Sequence, residues 1–127
     1  MNNLLWVLQI FLAIVFAVHG WIYVTWPPSA AAMIEKRNNG KSLGLPSSLR
    51  TFIGVCELLA AVGLILPGLM GILPWLTALA STGLIIVILG AMVFHLSRRE
   101  TSTAVISLVL VVLCVLVVYG RVAIVPL

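Results

Sequence analysis

Four stretches of the chain are predominantly apolar and approach or reach the length of a membrane span: residues 4–24, 49–66, 75–96 and 104–119. About 20 residues rising 1.5 Å each cross a 30 Å hydrocarbon layer. The second and fourth stretches are short for this, so their ends are expected near the headgroups. No alternating strand pattern runs through them, which argues against a barrel. Composition agrees: 63% of the residues are hydrophobic and 8% charged. A soluble domain is nearer half apolar and a quarter charged. The expected fold is all-α, an integral membrane antiparallel four-helix bundle forming a single domain over residues 1–127. The net charge of +4 has no extended basic face behind it, so nucleic acid is not expected as a partner; the lipid bilayer is.

The connections differ in character. Residues 27–48 read as one long polar loop. Pro67-Gly68 reads as the stop of the second helix and Pro74 as the first turn of the third. Ser102 or Thr103 is placed to cap the fourth helix. The first stretch is expected to stay in the protein rather than leave as a signal peptide. No cation precedes it, it exceeds the usual 7–15 apolar residues, and it carries His19 and Tyr23.

Basic residues set the expected orientation. Lys36, Arg37, Lys41, Arg50, Arg98 and Arg99 fall on the side of the long loop and the third connection, against Arg121 on the other. The positive-inside rule puts both polar connections in the cytoplasm and both termini outside. Trp6, Trp26 and Trp75 lie near the ends of the apolar stretches, where an aromatic belt forms.

Against this background Glu57 stands out as an acid within an apolar run. It follows Arg50 by seven residues, about 10 Å along a helix. Antiparallel threading brings Arg50, Glu57, His19 and His95 into the same half of the membrane from three helices. At 100° per residue, Arg50, Gly54, Glu57, Ala61 and Leu64 share a stripe. Small residues on it let a neighbouring helix approach closely. Gln9, Ala13, Phe16, His19 and Tyr23 form a comparable stripe on the first helix, and Leu84, Ile88, Ala91 and His95 one on the third. A charge at the bilayer centre costs about 2.5–3.5 kcal/mol on insertion scales, so Glu57 is expected to face inward, within reach of Arg50, His19 or His95.

The bland readings are a protonated Glu57 or its structural pairing with Arg50, an Arg50 that only snorkels to the headgroups, and an interfacial His95. Cys56 and Cys114 have no CxxC or metal-like spacing and read as packing residues. Two histidines and one acid are a conceivable set for iron, copper or haem, which sequence spacing does not test.

The chain resembles the DoxX/DoxX-like family of small bacterial membrane proteins. The resemblance rests on "HGW" (residues 19–21), on "RTFIGVCELLAAVGLILPG" (residues 50–68) and on "FH" (residues 94–95). It covers the first three helices in order and spacing. It implies a four-helix bundle in the bacterial cytoplasmic membrane and association with quinone-linked sulfur oxidation or membrane redox complexes. Two functions follow as alternatives: a redox accessory subunit holding a quinone-like molecule at His19, Tyr23, Arg50, Glu57 and His95, beside a redox partner protein; or a non-enzymatic assembly subunit. A small carrier is a third, weakened by the single visible membrane acid and by the absence of paired half-helices. No nucleophile–base set, phosphate loop or zinc signature is present, which argues against an independent enzyme.

Overall fold

The computed structural model describes residues 1–127. Five α-helices follow in order: α1 (Asn2–Thr25), α2 (Pro28–Arg37), α3 (Ser47–Met70), α4 (Trp75–Ser97) and α5 (Thr101–Tyr119), the last running into a π-helical turn at Gly120–Ile124. Four are long and apolar enough to cross a membrane: α1, α3, α4, and α5 with its π-helical extension. They form the expected all-α bundle. α1 packs most extensively on α3 and α4 on α5, while α3 against α4 joins the two pairs.

Three expected boundaries are corrected. Residues 27–48 are not all loop. Pro28 sits at the first helical position with its φ already suited to a helix, and alanines follow. Ala30 and Ile34, four residues apart, bury one face of α2; Lys36 and Arg37 sit in its last turn, where the macrodipole favours cations. Nor does Pro67-Gly68 stop α3. The helix carries Pro67 inside it and runs to Met70, ending where Gly71 turns left-handed (φ 64°) and donates its N–H back to Pro67 O. At 24 residues α3 is therefore about 36 Å long and not a short span. Finally, neither Ser102 nor Thr103 caps α5: Glu100 occupies that position, with no side-chain cap bond.

Leu12, Phe16, Leu64, Leu84, Cys114 and Val117 centre the core, each buried almost completely. Large aliphatic residues on the outer faces, such as Leu59, Val62, Ile86, Val93 and Val112, remain exposed on the bundle. In water this would be untenable; in a bilayer it is the lipid-facing surface.

One crossing fixes the rest of the site. Gly20 of α1 and Gly54 of α3 face each other so closely that a Cβ on either would lie 2.7 Å from the other's carbonyl oxygen. With no side chains between them, the two backbones approach and their flanking residues meet.

Candidate functional site

Three residues beyond Gly54, Glu57 points at α1. Its Oε2 lies 2.7 Å from His19 Nδ1. The carboxylate side chain is 5% exposed and the imidazole 43%, so a buried acid is joined to a ring that reaches the bundle surface. One turn on, the Tyr23 ring lies against His19, tilted by 38° with centroids 4.2 Å apart, and meets Trp26 edge-on at 5.9 Å.

Arg50 does not pair with Glu57. Its Nε donates to Tyr23 O at 3.2 Å, and its guanidinium lies 4.5 Å from the centre of the Trp26 ring. Tyr23 belongs to the last turn of α1, whose carbonyls lack intrahelical donors. A cation there satisfies one of them and sits at the negative end of the macrodipole. Arg50 thus anchors the end of α1 to the start of α3.

His95 also goes elsewhere. Its Nδ1 lies 2.5 Å from Glu100 Oε2, and Arg98 Nε donates to Glu100 Oε1 at 2.8 Å. Arg98 in turn donates through Nη1 to Leu43 O at 2.8 Å and through Nη2 to Ser42 O. This tripod ties the α2–α3 loop to the α4–α5 turn. Burial pushes the Glu100 carboxyl pKa up, but the hydrogen bonds from His95 and Arg98 together outweigh it and hold the group below the usual carboxylate range. The expected constellation is therefore two pairs: His19–Glu57 with Tyr23 and Arg50 between α1 and α3, and His95–Glu100 at the far seam. Glu100 escaped the sequence reading because it stands in a polar turn, where an acid needs no partner. No three histidine, cysteine, aspartate or glutamate side chains gather as a metal-binding group. Both cysteines are free.

Further along α1 and α3, about a helical turn from His19 and Glu57, which do not line it, lies an open groove of about 440 Å³ between the two helices. Its walls are wholly hydrophobic and include Ile10, Ala13, Ala17, Leu58, Ala61 and Ile65. Ala61, expected to leave room beside Glu57, lines it. Gly54 does not, since Gly20 takes up its space.

A second polar network, not anticipated, lies at the opposite end. Gln9 Nε2 donates to Leu64 O at 2.6 Å, and Arg121 Nε donates to Gln9 Oε1 at 2.6 Å. Arg121 Nη1 reaches Asn2 Oδ1 at 2.7 Å, and its guanidinium lies 5.3 Å from the centre of the Trp6 ring. Gln9 is fully buried and Arg121 nearly so. The signal was present in the sequence, as an amide on the inward stripe of α1 and an arginine closing the last apolar run.

A four-span helical bundle with a carboxylate–histidine pair on its first helix crossing is a multi-pass membrane protein. The chain belongs to the DoxX-like family, whose model matches residues 7–117. No curated protein and no solved structure matches it.

Proposed function

We propose that His19 and Glu57 form the polar end of a site for a lipophilic, oxygen-bearing molecule such as a quinone, and that the chain serves as an accessory subunit of a membrane redox system. The observation that carries this reading is the position of a half-exposed imidazole, bonded to a buried carboxylate, about a helical turn from an apolar groove open along α1 and α3. A prenyl or acyl tail fits such a groove. The second ring nitrogen of His19, not engaged by Glu57, is the natural partner of a carbonyl or hydroxyl oxygen. Through the Nδ1 bond Glu57 fixes the orientation of the ring, so that its other nitrogen can be presented to a bound oxygen. Tyr23 adds an aromatic face next to the imidazole.

Glu57→Gln and His19→Ala test this in protein that still folds and inserts. Titrating the purified protein in micelles with a short-chain quinone is expected to show binding at least tenfold weaker in both variants. Gln keeps the shape and most of the hydrogen bonding of Glu57, so its effect isolates the loss of charge and proton transfer. Undiminished binding in both variants moves the site elsewhere. If the parent binds no quinone, the assembly-subunit reading takes over. It is favoured by the tripod of His95, Arg98 and Glu100, whose polar atoms serve to join loops. In that case the same substitutions lower the melting temperature or the association with a partner protein.

The setting proposed is a bacterial cytoplasmic membrane, with both termini outside and residues 27–48 and 97–102 in the cytoplasm; the basic asymmetry supports it. With Cys56 and Cys114 replaced by alanine, Ser42→Cys is expected to resist a membrane-impermeant thiol reagent in intact cells. Gly71→Cys is expected to react with it. The reverse pattern inverts the topology and leaves the four spans in place.

A further inference from the structure

A pocket of about 190 Å³ lies where α2 ends and α5 begins, and none of its lining residues is hydrophobic. Arg37, Lys41 and Arg99 bring three cations to it, and Thr101 and Ser102 bring hydroxyls. Four features make it more than a solvated rim. First, α5 starts there with no side-chain cap, so the N–H groups of its first turn are without an intrahelical partner and carry the positive end of the macrodipole. Second, Asn38 lines the pocket and is 4% exposed, yet its Nδ2 has no hydrogen-bond partner. A buried amide donor left unsatisfied is destabilising unless something accepts from it. Third, the one acid in the lining, Glu100, is already committed, one oxygen to His95 and the other to Arg98. The cations of the rim therefore lack a carboxylate of their own. Fourth, the loops that form the pocket are held in place by Arg98, through Leu43 O and Ser42 O, and by Lys41 Nζ, which donates to Arg98 O at 2.9 Å.

Uncapped helix N–H groups, hydroxyls and three cations make a cradle rich in donors, whose one carboxylate, Glu100, is already engaged by His95 and Arg98. Its complement is a compact oxyanion with several acceptor oxygens. We propose that this pocket binds a phosphate group, carried either by an anionic lipid headgroup or by a free phosphate in the adjoining water. The site is separate from His19 and Glu57, and shares none of their side chains.

Two arms distinguish the sources. In a neutral maltoside micelle, inorganic phosphate is titrated calorimetrically at constant ionic strength. In nanodiscs of phosphatidylcholine, with and without phosphatidylglycerol, the lipid retained on the protein is counted by native mass spectrometry. Binding in the first arm assigns the site to free phosphate, and selective retention of phosphatidylglycerol assigns it to the headgroup. Either result should weaken at least tenfold in Arg99→Gln and in Arg37→Gln, and be lost in Asn38→Asp, which replaces the orphaned donor with a repelling carboxylate of the same shape. Arg37 and Arg99 are exposed, so the two glutamine variants keep the test valid even if Asn38→Asp fails to fold. A parent that binds neither phosphate nor phosphatidylglycerol overturns the proposal, as does binding unchanged in both glutamine variants.

Discussion

Gln9→Leu is expected to destabilise the protein by about 3 kcal/mol, the cost of leaving a charged hydrogen-bonding group short of its partner in a buried setting. Arg121 would lose the acceptor for its Nε, and Leu64 O the donor it now has. The guanidinium has no carboxylate to turn to: its side-chain acceptors are Gln9 and Asn2, and one of its nitrogens, Nη2, is already without a partner. The double variant Gln9→Leu/Arg121→Met should recover most of the loss, because an apolar replacement of the whole group removes the buried charge along with its need. Reversible unfolding in mixed micelles, read by circular dichroism, measures both. A single substitution costing less than about 1 kcal/mol, or a double variant no better than the single, contradicts the claim that Gln9 is what makes Arg121 tolerable there.

Gly54→Val is expected to be worse still for the site. Its side chain would enter the space held by Gly20 O, and by Tyr23 and Val24. Neither backbone can yield without separating α1 from α3. Overpacking alone costs about 1–3 kcal/mol, and the separation also stretches the 2.7 Å contact between His19 and Glu57. Loss of a folded monomer, or a fall in melting temperature well beyond that of Gly83→Ala, is the expected reading. Gly83 makes the comparison fair, since a Cβ there meets nothing within 4 Å. Equal effects at the two positions would mean that the Gly20–Gly54 crossing does not hold the helices together.

Position along the bundle was legible in the sequence, whereas the identity of neighbours was not. Counting residues from the helix ends placed His19, Glu57 and His95 in one half of the bundle. The 100° stripe turned Gly54, Glu57, Ala61 and Leu64 inward, and all four are buried. Which side chains meet depends on packing and turn geometry that residue counting does not give; α1 packs most on α3 and α4 on α5. His95 finds Glu100, only five residues on across the α4–α5 turn, and not Glu57. The helix at Pro28–Arg37 was hidden for another reason: it is short and polar on average, and only Ala30 and Ile34 are buried. Pro67 misled because proline usually ends a helix. Here the chain keeps its course, at the cost of the one backbone donor that Gly63 O would otherwise use. Arg121 was read as a topological marker, since its partners Asn2 and Gln9 lie more than a hundred residues earlier.

That last separation bears on how the protein is made. A chain emerging from the ribosome presents α1 first, and α1 can settle on α3 only once α3 itself has been synthesised. The partner of Gln9 Oε1 is made only when residue 121 is synthesised, because its acceptor role depends on Arg121. The latch that joins residue 121 to residues 2 and 9 can close only after the chain has been synthesised past residue 121. Nascent chains stopped before residue 121 would carry the His19–Glu57 pair but no clasp at the other end, and quality-control proteases in the membrane would meet them as unfinished protein.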